Sequence, residues 1–179
     1  MSSNSIDDTD LLYLRVRNIE DVPHKGNHDY RIEEDGKIKI MPTAFRDRNF
    51  QTSVDIARIN SYNANKTRNA DKPEYIKTNG VIGIIAGDIN SIEPFEGIGN
   101  REVEVQPDPL PNNKAHAKIV ADPDFSDRKN PLNGEDISPS QRSTQFRKLR
   151  IKEADLATDY IRDNGWIIEP VSSNVDNSD

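Results

Sequence analysis

The sequence predicts an α+β fold: a single compact domain with a mixed or mostly antiparallel sheet and a C-terminal helix on one face. Three observations predict it. Leu11 to Arg17 alternates with the period of a strand, Asp35-Gly36 stands as a turn between two short runs, and Ser138-Pro139 opens a long helical segment that ends at Gly165. The expected domain is 11–170, flanked by disordered tails at 1–10 and 171–179, where Asp, Ser and Asn leave too little apolar surface to offset ordering entropy.

The first strand follows from Leu12, Leu14 and Val16 alternating against Tyr13, Arg15 and Arg17, which buries one face. Tyr30 to Glu33 and Lys37 to Met41 flank Glu34-Asp35-Gly36, and Asp-Gly supplies the positive-φ positions of a hairpin turn. Thr52 to Ser61 admits two readings, a short helix capped by Ser53 with Ile56 and Ile59 on one face, or an extended entry. Asn60 to Lys72 lacks periodicity and reads as an exposed loop, with Glu74 to Lys77 re-entering the sheet.

Val81 to Ala86 is a continuous apolar run after the Asn79-Gly80 turn, the pattern of a central strand buried on both faces. Strands are expected at Arg101 to Gln106 and Ala115 to Ala121, joined by a stretch that Pro107, Pro109 and Pro111 keep extended. Asp122 to Asp136 reads as a loop. The helix from Ser138-Pro139 runs to about Asn164, with an apolar stripe of Phe146, Leu149, Leu156, Tyr160 and Ile161 that Glu153 interrupts. Gly165 suits its left-handed cap, and Trp166 to Glu169 reads as a last strand stopped by Pro170.

Composition narrows the function classes. Hydrophobic residues are 33% of the 179, about 38% with the nine glycines, below the roughly 45–50% usual for globular domains. A net charge of -7 opposes non-specific attraction to nucleic acid or anionic membrane. With no cysteine there is no disulfide, thiolate zinc site or cysteine nucleophile in this chain. No basic amino-terminal start and no apolar run of spanning length are seen, so the expectation is a soluble, cytoplasmic protein with no membrane partner.

Two segments carry the candidate site, Thr43 to Asp55 (TAFRDRNFQTSVD) and Pro109 to Val120 (PLPNNKAHAKIV). Arg46 can clamp a carboxylate or phosphate, and Ser53 and Asp55 can exchange hydrogen bonds, although both also serve as helix caps. His116 shares a strand face with Lys118 and Val120, and histidine is the side chain most easily poised for acid–base work near neutrality. Arg142, Arg147, Lys148, Arg150 and Lys152 form the one basic concentration. They spread around a helix, which reads more readily as a solvated face than as a nucleic-acid stripe.

Other matches fail on spacing. Asp122, Asp124 and Asp127 open like a calcium loop, but Asp127 occupies its glycine position and Asn133 its final glutamate. The glycines do not form a dinucleotide fingerprint. No metal or cofactor is expected.

The order AFRDRNFQTSVDIA, GVIGIIAG, VQPDPLPNNKAHAKIV and a helix before WIIEP resembles a group of small uncharacterised bacterial proteins. Their pattern runs Ala-Phe, Ser-Val-Asp, a glycine-flanked strand, Pro-x-Pro and Pro-x-His-Ala ahead of a C-terminal helix. The resemblance spans about Leu11 to Pro170, highlights Phe45, Ser53, Val54, Asp55, Pro107, Pro109, His116 and Ala117, and departs at Lys114. It implies a shared fold and a bacterial, intracellular origin, and no activity. Two functions are expected on these residues. The first is a non-enzymatic binding or accessory module for a protein or small-molecule partner. The alternative is a small nucleotide-processing or ADP-ribosyl-transfer-like enzyme, with Arg15 or Arg46 on phosphate, Ser53 orienting the ribose, Asp55 or Glu102 as the carboxylate aligned with it, and His116 as acid–base or ligand-positioning group.

Overall fold

The computed structural model describes residues 5–19, 25–45, 51–68, 79–92, 103–121, 134–136 and 138–171. Among them, seven strands and three α-helices follow in the order β1 (Leu11–Val16), β2 (Tyr30–Ile32), β3 (Ile38–Ile40), β4 (Gln51–Ile56), α1 (Ala64–Arg68), β5 (Gly80–Ile85), α2 (Ala86–Asn90), β6 (Val103–Pro107), β7 (His116–Ala121) and α3 (Pro139–Asn164). Five strands make an antiparallel sheet in the order β5-β1-β4-β7-β6, while β2 and β3 pair as a separate hairpin. The fold is α+β, with the antiparallel sheet and C-terminal helix that the alternation, turn and capping signals predict.

Strand alternation divides the sheet cleanly. Leu12, Leu14 and Val16, with Val54, Ile56, Ile82, Ile84, Val103, Val105, Ala117 and Ile119, bury one face in the main core, against Leu149, Ala154, Ala157 and Ile161 of α3 and Ile89 of α2. Tyr13 and Val81 lie on the opposite face and join a smaller cluster with Ala57 and Ala64. Elsewhere on that face Val120 and Asp55 are buried, Arg15, Ser53, Glu104 and Gln106 are exposed, and His116 and Lys118 are half-buried. Removing one large core side chain, such as Leu12→Ala, costs about 2–5 kcal/mol because a cavity adds to the lost burial.

Several elements differ from their sequence patterns. The segment after Ser53 is extended as β4, since the register holds Ser53 and Asp55 against β7 and leaves no room for a helix. Within the expected loop at 60–72, Ala64–Arg68 forms a helical turn because Ala64 is drawn into the second cluster. Glu74 to Lys77 and most of Asp122 to Asp136 lie outside the described residues. So does the side chain of Phe146.

The run at β5 is buried on both faces, yet the strand stands at the end of the sheet order. Its burial comes from α3 and the segment after it. Tyr160 occupies the space over Gly83, where an added Cβ would come within 2.5 Å of the ring, and Trp166 and Pro170 do the same over Gly80 at 2.8 Å. Trp166 to Glu169 does not form a full strand; it contributes one bridge, Ile168 to Val81. The other end of the sheet is protected differently. Asn90 Oδ1 accepts the outward amide of Val105 at 3.0 Å, and Pro107 offers no amide at all.

The folded unit begins ahead of Leu11. Asp10 is buried, Arg58 pairs with its carboxylate at 2.6 Å, and the amides of Ala86 and Gly87 donate to the carbonyls of Asp10 and Asp8 at 2.9 and 2.8 Å. At the other end, Gly165 adopts φ 76° and its amide donates to Ile161 at 2.8 Å, closing α3 as a left-handed cap. Among the described residues no helix is long and apolar enough to cross a membrane.

Candidate functional site

The register of β4 on β7 decides which candidates meet. Asp55 lies directly opposite His116, and Ser53 opposite Lys118. The Ile56 amide donates to Ala115 at 2.8 Å, which makes the next pair, Asp55 and His116, a non-hydrogen-bonded one, the kind whose side chains sit closest. Ser53, Asp55, His116 and Lys118 therefore share one patch of the outer face, with Cβ atoms of opposed residues about 4.5–5.5 Å apart. Tyr13 flanks Asp55 on the β1 side. Arg46, the fourth candidate, lies outside the described residues.

The loop between β6 and β7 supplies what the sequence did not signal. Asp108 follows Pro107 at the end of β6, and its amide donates to the His116 carbonyl at 3.0 Å. His116 Nδ1 sits 2.8 Å from the Asp108 carbonyl oxygen and 3.2 Å from its Oδ2. A carbonyl only accepts, so Nδ1 carries the proton and Nε2 is the acceptor nitrogen of the neutral ring. Nε2 makes no hydrogen bond among the described residues. Lys118 Nζ reaches the same Asp108 Oδ2 at 2.7 Å, and that bond, with the Lys118 charge, holds the Asp108 carboxyl below its usual range.

Asp55 is 4% exposed, and its Oδ1 accepts from Asn113 Nδ2 at 2.8 Å. The same Asn113 side chain accepts the Ala115 amide at 3.1 Å. Leu110 and Asn113 exchange backbone hydrogen bonds at 3.0 and 3.1 Å, closing a turn with Pro111 and Asn112 at its exposed tip. Asp55 and Asp108 thus each hold one side of this hairpin. Asp108 and Asn113 were legible only as members of a proline-rich stretch. Their roles depend on the loop folding back on β7, and spacing alone carries no sign of it.

The remaining candidates are exposed to solvent or turned inward. Ser53 is exposed and makes no hydrogen bond to His116, so its hydroxyl is not coupled to the ring. Arg15 is exposed on the same face. Of the basic cluster, Arg147 and Lys148 are exposed on α3 and Lys152 is half-buried, while the Arg142 side chain lies outside the described residues. Arg150 turns inward, donating to Thr52 Oγ1 at 2.7 Å and to Glu153 Oε2 at 2.9 Å. That explains the break in the apolar stripe: Glu153 is 2% exposed, and burial pushes its carboxyl up despite the arginine. Among the described residues no group of three or more His, Asp or Glu side chains is placed to hold a metal ion.

The fold and the patch define an α+β protein with one covered sheet face and one partly open polar face. No protein-family model, curated protein or solved structure matches the chain.

Proposed function

We propose that this protein is a non-enzymatic binding or accessory module that meets its partner through the open sheet face and the hairpin tip at 109–112. The observation that carries this reading is where the two carboxylates go. Asp55 is bound to Asn113, and Asp108 is bound to both Lys118 and His116. Polar groups that a catalyst would direct at substrate here brace a loop, and a braced loop loses less entropy when it binds. Exposed Pro109, Leu110 and Pro111 supply apolar contact at the tip, and Ser53 and Gln106 supply adaptable hydrogen bonding beside it.

The test is site-specific photo-crosslinking in extracts of the source cell, with the crosslinker placed in turn at Ser53, Asn112 and Asp155. A partner captured at the first two positions and not at Asp155, on the solvent side of α3, is the expected result. Equal capture at all three, or none, counts against this surface.

The enzyme reading keeps one specific support, the direct pairing of Asp55 with His116 and the unengaged Nε2. It predicts that nucleotides or dinucleotides raise the melting temperature and are turned over, with turnover abolished by His116→Gln.

A further inference from the structure

Three kinds of outlier fall within residues 60–67. Ser61 and Tyr62, at φ 54° and 57°, are the non-glycine residues with left-handed backbone among those described. Asn60 Nδ2 and Thr67 Oγ1 are buried side-chain atoms with no hydrogen-bond partner, in residues 7% and 5% exposed. Tyr62, at 65%, is the most exposed large hydrophobic residue of the described chain. Strained backbone and unmet hydrogen bonds both cost free energy, and they persist where the surrounding structure holds them for another purpose.

The surroundings do hold them. The Tyr62 amide donates to Ala57 at 2.8 Å, closing the turn after β4, and Tyr13 Oη donates to the Tyr62 carbonyl at 3.3 Å. Glycine or asparagine normally takes such a left-handed position. A tyrosine there places an aromatic ring in solvent on a pinned backbone. Its neighbours Asn63, Asn65 and Lys66 are exposed as well. Residues 57–67 contain no acidic side chain in a chain of net charge -7.

We infer that this turn and α1 form a binding site for a nucleobase carrying a phosphate, either a free nucleotide or part of a single strand. The base stacks on Tyr62, amide groups of Asn63 and Asn65 meet its polar edge, and Lys66 faces the phosphate. An acidic peptide fits less well. It needs several cations, and Arg58 is already committed to Asp10, which leaves Lys66 as the exposed cation without an ion pair among the described residues 57–67. The site uses none of Ser53, Asp55 and His116, so it stands apart from the sheet-face reading.

The full chain is titrated with AMP, UMP, a deoxythymidine strand of about ten nucleotides and polyglutamate, at about 50 mM salt so that phosphate contacts are not screened away. Backbone amide shifts are followed by NMR. Expected are shifts centred on residues 57–67, about tenfold weaker binding in Tyr62→Ala, and binding retained in Tyr62→Phe, since the ring does the stacking. Response to the mononucleotides alone assigns a free nucleotide, and response to the strand alone assigns single-stranded nucleic acid. No shift at 57–67 with either class at millimolar concentration overturns the inference, as does affinity unchanged in a folded Tyr62→Ala. Polyglutamate binding as well as the nucleotides does so too. Binding lost in His116→Gln but kept in Tyr62→Ala assigns the ligand to the sheet face instead.

Discussion

At the scale of single residues, the informative groups are those whose neighbours change their chemistry. Asp108 is held below its ordinary range chiefly by the Lys118 hydrogen bond. A carboxyl with a depressed folded value contributes stability above its unfolded value, near pH 3.9, and loses that contribution as pH falls through the folded value. Asp108→Asn should therefore melt below the wild type at pH 7, with the gap narrowing as pH falls below about 3.9. A gap that is unchanged across that range would show that the ion pair adds nothing. Its carboxylate is 37% exposed, so the effect is modest. Ser61 makes a second case. Its φ of 54° disfavours any residue with a Cβ, so Ser61→Gly should raise stability by about 0.5–1 kcal/mol in urea unfolding. Neither effect is visible in sequence: Asp108 looks like a turn residue between prolines, and Ser61 like one more polar residue in a loop.

At the scale of elements, one side of the hairpin between β6 and β7 is held by the Asn113 side chain. Asn113 satisfies buried Asp55 and the Ala115 amide together. Asn113→Ala strands that carboxylate and should cost about 1–3 kcal/mol, measured by urea denaturation. It should also broaden amide resonances at 108–116. A loss below about 0.5 kcal/mol would mean that another donor takes the place of Asn113. Much of the element level was legible. β1, the β2–β3 hairpin, β7 and α3 follow alternation, an Asp-Gly turn and a Pro-to-Gly helix frame, all of which are local. β4 was not resolved from a helix, because Ser53 serves equally as cap or strand residue until β7 pairs with it. The same locality explains β5. Its apolar run reports burial on both faces, and the sequence has no means of saying that a helix and Trp166 supply it in place of a second strand.

At the scale of the whole molecule, the amino-terminal segment ties distant parts of the chain together. Arg58 beyond β4 grips Asp10, and Asp8 and Asp10 accept the first amides of α2. Arg58→Ala leaves a buried carboxylate without its cation, so hydrogen exchange at Ala86 and Gly87 should accelerate while amides of β7 stay protected. Uniform acceleration would show that the pairing supports the global fold, and no acceleration that the segment holds without it. The sequence by itself determined the class of fold, the faces of the alternating strands and the ends of α3, because each rests on contacts between residues a few positions apart. It also picked out Ser53, Asp55 and His116 as polar residues on patterned strands. Only the tertiary structure decided that Asp55 faces His116, that Asp108 and Asn113 turn those groups into the braces of a hairpin, and that left-handed backbone, buried unpartnered atoms and an exposed ring fall together within residues 60–67. Those facts depend on register and on loops folding back across the sheet, where residues far apart in sequence become neighbours and one residue of slip would reverse every face.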